Sequence, residues 1–378
     1  MVEFVPVRYL LFISSELLVI AAIYNCMCAV EVLLGKINVD IESEMKIGYM
    51  SGVTALWCAS AHGHLNLVKM LIHHGADVNH CTTNGSSPLR AACSAGHFDI
   101  VKCLIKNGAH VNAANKHNNT CIMVAAFYGH LHICKYLIYK HADVNRVDDE
   151  SSTALHQAAM NGYLDIVKCL VEHGAHNSRN TVGCTPLMMA IHNDNTKIVD
   201  YLTHTSGLVT VFEFIEELER LAISDIEPVR AYQYLMKAME LRYTAYYKPI
   251  MKYTLPPIEA YGYHSESKTI EELQSVQLNR ELLLMEIHIC RERILGENHE
   301  LVIKSMVSLG KYFRDTSRFD KCILLWLRVL MLTKRHRKPL DNTLSKFSYL
   351  FDDMVNKNMD ISTAVVIKIL TSTVEELE

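Results

Sequence analysis

Five tetrapeptides, spaced almost evenly, constrain this chain more than any other feature. Thr54-Ala55-Leu56-Trp57, Ser87-Pro88-Leu89-Arg90, Thr120-Cys121-Ile122-Met123, Thr153-Ala154-Leu155-His156 and Thr185-Pro186-Leu187-Met188 are equivalent, and their first residues stand 33, 33, 33 and 32 positions apart. A 33-residue period opened by a TPLH-like tetrapeptide is the ankyrin signature. Each part of the unit has a physical role. The Ser or Thr suits the N-cap of a short first helix, where its hydroxyl accepts from an orphan amide. Pro88 and Pro186 fall just inside that helix, where a missing N–H costs nothing. Gly63-His64, Gly96-His97 and Gly129-His130 mark the turn to the second helix. Runs such as Ile100-Val101-Lys102-Cys103-Leu104-Ile105 then place apolar residues on one face. Gly75, Gly108 and Gly174 suit the left-handed C-cap that ends it. One such unit cannot bury its own apolar face, so stability comes from stacking.

Outside the period the pattern changes. Tyr9 to Gly35 is apolar enough to suggest a membrane segment, yet Glu16 and Glu31 interrupt it. Ala21 to Leu34 reads better as the helix pair of a degenerate repeat. From Ser206 the period is gone. Arg230 to Tyr243 predicts an amphipathic helix with a basic exposed side, and Tyr246 to Tyr263, with Pro249, Pro256 and Pro257, a connector. Ile270 to Arg293 predicts one helix. Leu301 to Phe313 and Phe319 to Leu332, broken at Asp315 to Arg318, resemble a tetratricopeptide-like hairpin. Phe347, Leu350, Phe351 and Met354 form a later apolar stripe of the kind that packs in a core. The expected fold is therefore all-α, an ankyrin solenoid with hairpin tips and then a tetratricopeptide-like helical domain. The expected divisions are a degenerate repeat or cap over 1–45, about five ankyrin repeats over 46–211, a helix and connector over 212–263, and the helical domain over 264–378.

Composition narrows the function. A net charge of -4 over 378 residues removes the electrostatic case for nucleic-acid binding. The twelve cysteines include no CxxC pair, and seven of them, such as Cys58 and Cys93, sit in helical patterns as small hydrophobes. Such thiols fit the cytoplasm, and also the nucleus. No phosphate loop, nucleophile elbow or HExxH helix occurs, so no catalytic residue, cofactor or metal is expected. His62, His64, His73, His74 and His80 lie close together, but His64, His97 and His130 share one repeat position, so the period accounts for them.

What remains is the surface that inner helices and hairpin tips offer to a protein partner. The candidate contacts are Trp57, Ser86, Arg90 and Ser94 in the earlier repeats. Asn115, Lys116, His117, Asn119, Met123, Phe127 and Tyr128 belong to the third repeat, and Asp148, Asp149, Glu150, His156 and Gln157 to the fourth. Trp, Tyr, Met and Arg are types that anchor interfaces. The acidic triplet Asp148 to Glu150 could pair with a basic residue of a bound peptide.

Several stretches go beyond general ankyrin consensus. Ser87-Pro88-Leu89-Arg90-Ala91-Ala92-Cys93, Asn115-Lys116 with Asn119-Thr120-Cys121-Ile122-Met123, and Asp200-Tyr201-Leu202-Thr203-His204 resemble the fem-one (feminization) homologs. Arg291-Glu292-Arg293-Ile294-Leu295-Gly296 and Cys322-Ile323-Leu324-Leu325-Trp326 are similar to that family too. The resemblance implies a substrate receptor of a cullin–RING ubiquitin ligase, working with cullin-two and elongin B/C. Its ankyrin groove would read C-terminal degrons, often ending in arginine, without bond chemistry of its own. Two departures weigh against an arginine-reading groove. Ser94-Ala95-Gly96 lacks the family's acid before glycine, and Glu42 to Ser51 lacks its Phe-Asp-Gly segment, leaving Asp40, Glu42 and Glu44 nearby. The family's second ankyrin block and C-terminal cullin-docking box have no counterpart in these residues, so a scaffold or decoy that binds partners without a ligase is the alternative.

Overall fold

A computed structural model describes residues 16–35, 39–225, 227–244, 250–335 and 341–374. The chain forms two compact units, Met1–Thr210 and Val211–Glu378.

The first unit is built from helix pairs. α1 (described over 16–23) and α2 (Met27–Gly35) are separated at Asn25, whose φ is 57°. The apolar run is therefore broken at Asn25 into two helices rather than continued as one. Among the described residues no helix is long and apolar enough to cross a membrane; residues 9–15 of that run lie outside the described residues. Strands β1 (Met45–Ile47) and β2 (Met50–Val53) pair antiparallel as the first hairpin tip. The repeats follow as α3 (Ala55–Ala61) with α4 (Leu65–His73), α5 (Pro88–Ala95) with α6 (Phe98–Lys106), and α7 (Cys121–Phe127) with α8 (Leu131–Tyr139). Then come α9 (Ala154–Met160) with α10 (Leu164–Glu172) and α11 (Pro186–His192) with α12 (Thr196–Asp200).

The caps form where the tetrapeptides start. Thr54, Ser87 and Thr185 accept from the amides of Trp57, Arg90 and Met188 at 3.3, 3.2 and 3.1 Å. The turn glycines are left-handed, and at Gly96 (φ 80°) a Cβ would lie 2.6 Å from Cε1 of His130. Glycine is required there twice over, by backbone and by ring. The fifth unit meets the same turn with Asp194 at φ 55°.

Three rows of bonds tie repeat to repeat. His64, His97 and His130 place Nε2 on the carbonyl oxygens of Ile23, Ala61 and Ser94 at 2.9, 3.2 and 3.0 Å. Asn79, Asn112 and Asn145 each donate to a carbonyl one repeat on and accept from an amide beside it. The hairpin tips join through Thr83 to Ser51, Lys116 to Asn84, Asp149 to His117 and Thr181 to Glu150, backbone to backbone. The first helices α3, α5, α7, α9 and α11 pack more closely on one another than the second helices do. The stack therefore curves toward the first helices, and the tips border that face.

The second unit comprises α13 (Val211–Ser224), α14 (Pro228–Thr244), α15 (Ile270–Val276), α16 (Arg280–Leu295), α17 (Glu300–Asp315), α18 (Phe319–Arg335), α19 (Asp341–Asn356) and α20 (Thr363–Val374). The expected single helix from Ile270 to Arg293 is two. Asn279 interrupts it because its Oδ1 accepts from the amides of Glu281 and Leu282 and so caps α16. In α14, Arg242 is not on an exposed basic side. It is buried and pairs with Glu219 of α13 at 3.0 Å. α17 and α18 pack against each other as a helical hairpin, and Trp326 packs over Gly310.

Of the connector, 246–249 lie outside the described residues; beyond them it is anchored at Lys252 by buried charge. Lys252 meets Glu266 at 2.9 Å, Arg293 meets both Glu266 and Glu219, and Glu286 accepts from the Ser267 amide. Unpaired, ions this deep would be costly; here each has a partner.

Candidate functional site

In three of the opening tetrapeptides the fourth residue bonds to the residue that precedes the next N-cap. Trp57 Nε1 donates to Ser86 Oγ at 3.4 Å, Arg90 Nη2 to Asn119 Oδ1 at 3.4 Å, and His156 Nε2 meets the Cys184 carbonyl at 3.1 Å. This register is what brings Trp57, Ser86, Arg90 and Asn119 together. Arg90 Nη1 also donates to Ser86 Oγ at 3.4 Å.

Trp57, Ser86 and Arg90 line a cleft of about 400 Å³. Small residues make room for it: Ala61, Ala91, Ser94 and Ala95 form part of its wall, with Met50, Thr82, Asn84, Asn115 and His117 at the tips. No carboxylate is among its lining residues. The formal charge belongs to Arg90, whose guanidinium is pushed down by burial. Its Nε is closed off from solvent with no acceptor. An acid near the rim is Asp149, and it is engaged by His117 at 3.5 Å and Asn118 Nδ2 at 2.7 Å. Next along the same face, Phe127 and Tyr128 are exposed and meet edge-on at 4.9 Å.

The family profile described as Ankyrin repeats (3 copies) matches residues 18–115, 76–148 and 122–210. A protein fem-1 homolog of Drosophila melanogaster is 47% identical over 338 residues, which is 86% of this chain and 50% of that protein. Human protein fem-1 homolog C is 36% identical over 183 residues, 46% of this chain and 29% of that protein. This chain belongs to the fem-1 homolog family of ankyrin-repeat proteins. Its repeat array is a protein-binding scaffold, and the chain spans about half the length of the Drosophila relative.

Within this fem-1 family array, the residues singled out from sequence fall into three groups. Trp57, Ser86, Arg90, Ser94, Asn115 and His117 converge on the cleft. Lys116, Phe127, Tyr128, Asp149 and Glu150 are exposed, while Asn119, Asp148 and Gln157 are half-buried. Met123 and His156 are corrections, at 1% and 2% exposure. Both turn back onto their own N-cap, where the Thr120 amide donates to Met123 Sδ and the Thr153 amide to His156 Nδ1. Burial pushes the His156 imidazole down, so the ring stays neutral and able to accept there.

The acidic triplet is not a free cluster either. Asp148 Oδ1 accepts from the amides of Glu150 and Ser152 and shapes the tip. Asn115 does the same one repeat earlier, for His117 and Asn119. The cleft residues Thr82 and Asn84 were not singled out. They stand 33 positions before Asn115 and His117, so the period itself marked them. Glu42 and Glu44, weighed as acids near the groove, both pair with His80 at 3.0 Å. Among the described residues no group of side chains is arranged to hold a metal ion.

Proposed function

We propose that the chain is a substrate-recognition component of a cullin–RING ubiquitin ligase, binding a C-terminal segment of its target in the ankyrin groove. The observation that carries the peptide-binding half is the cleft at Trp57 and Arg90, open beside the hairpin tips and continued by Phe127 and Tyr128. A half-buried tryptophan beside an arginine is the composition of an interface hot spot. The ligase half rests on the resemblance carried by the SPLRAAC and RERILG stretches. The chain contributes binding and positioning, in the cytoplasm or nucleus, where its free thiols persist.

The experiment is a pull-down of the 378-residue chain from cells, probed for cullin and elongin subunits with and without proteasome inhibition. Recovery of both is expected. Recovery of neither, with other proteins retained on the groove, would make the chain a scaffold or decoy. Trp57→Ala should cut the retained targets by roughly tenfold or more while the thermal melt barely moves.

A further inference from the structure

We infer that the cleft is a carboxylate subsite: Arg90 selects an acidic side chain of the bound polypeptide and turns away a basic one. The inference rests on the groove binding a peptide, and adds the charge class that it reads.

The argument is one of uncompensated charge. Arg90 is half-buried on α5, and burial disfavours its cation. Removing a guanidinium from water is costly unless an anion or good acceptors replace the lost hydration. Here the replacement is poor. Nε has no acceptor, and Nη1 and Nη2 reach only the neutral oxygens of Ser86 and Asn119, each at 3.4 Å, the long limit of a hydrogen bond. The buried cations of the second unit show the contrast. Arg242, Arg293 and Lys252 each have a carboxylate within 3.0 Å. Arg90 is thus a half-buried fork supplied with charge but not with a counter-ion, and a carboxylate entering the cleft supplies one.

The same geometry sets the preference against bases. An incoming Lys or Arg would meet a like charge, with no carboxylate on the cleft wall to hold it. Asp149, on the rim, is already paired to His117 and Asn118. The ligand group is a side chain rather than the end of a chain because the groove does not stop at Arg90. α5 stands between α3 and α7, with Trp57 and Met50 on one side and Phe127 and Tyr128 on the other. A peptide crossing that row passes over Arg90 and drops a side chain into the cleft.

The test pans the full chain against displayed decapeptides with free C-termini and five randomised positions. Asp and Glu should be enriched over Lys and Arg by roughly tenfold at one position, the scale of a charge-assisted hydrogen bond. The charge-reversed Arg90→Glu variant, folded by its thermal melt, should exchange that preference for Lys and Arg at the same position. The best peptide is then resynthesised with Gln in place of the acid, and separately as a C-terminal amide. Loss of binding with Gln and retention with the amide supports the inference; the reverse result makes the chain end the ligand and overturns it. Enrichment of basic or neutral residues by the natural chain also overturns it, while leaving peptide binding intact. Recovery of no peptide would remove the groove function and this inference with it.

Discussion

The fourth residue of the opening tetrapeptide is Trp57, Arg90, Met123, His156 and Met188 in successive repeats. One backbone position thus carries an indole, a cation, two thioethers and an imidazole, and each does different work. At Arg90 and Trp57 the side chain turns outward and builds a cleft. At His156 it closes on the Thr153 amide and reaches the next repeat. Methionine at 123 can accept only weakly from the Thr120 amide. Met123→His should therefore stabilise the array by about 1 kcal/mol, the net value of one good hydrogen bond. Urea titration followed at Trp57 would show it as a raised midpoint with an unchanged slope. A lowered midpoint would mean that the thioether packs better than the ring bonds.

At the scale of elements, α16 shows how a helix can be both buried and polar. Leu283, Ile287 and Cys290 face one apolar cluster and Met285 and Ile289 another. Between them lie Glu286, His288 and Glu292, all buried. Tyr261 donates to Glu292, so His288 Nε2 must donate to the Tyr261 oxygen and Nδ1 is left to accept from Ser305. Burial, reinforced by Arg291 and Arg328, pushes the His288 imidazole down to about 3.

The sign follows from linkage. Below the ordinary value of 6.5 the unfolded chain binds a proton that the folded one refuses. The contribution of His288 is therefore complete above that pH and is lost as pH falls toward 3, by up to about 1.4 kcal/mol per pH unit. In a Trp57→Phe background, where Trp326 alone reports, the second unit should weaken steadily below that value. Adding His288→Gln should flatten the slope. An unchanged slope would assign the acid sensitivity to other groups.

At the scale of the whole molecule, cysteine placement sorts the chain into reactive and silent thiols. Cys26, Cys28 and Cys81 are exposed, Cys103 and Cys184 half-buried, and the other seven buried. Burial pushes Cys58, Cys134 and Cys322 up to about 12, which withholds the thiolate that reacts. Brief alkylation of the native protein, read by mass spectrometry, should mark the three exposed thiols first. The buried seven should label only with denaturant, in both units. Fast labelling of Cys134 or Cys322 in native buffer would show that its unit opens far more often than its packing allows.

The array was legible in the residues because an ankyrin unit interacts mainly with its neighbours. Caps, turn glycines and apolar stripes recur at a fixed spacing, so local chemistry and the period carry the same information. The paired helices before Gly35 could be read for the same reason. What depended on tertiary structure was which way a side chain turns once the units stack. Met123 and Arg90 share a register, yet Met123 folds back on the Thr120 amide three residues before it while Arg90 reaches Asn119 29 residues on and faces a cleft, a choice that the period does not encode. The second unit was less legible still. Its buried ions join Glu219 to Arg242 and Arg293, Lys252 to Glu266, and Arg328 to Glu292, across separations that no short-range pattern encodes. Sequence alone can place such charges on helices; only packing decides which of them leave water together.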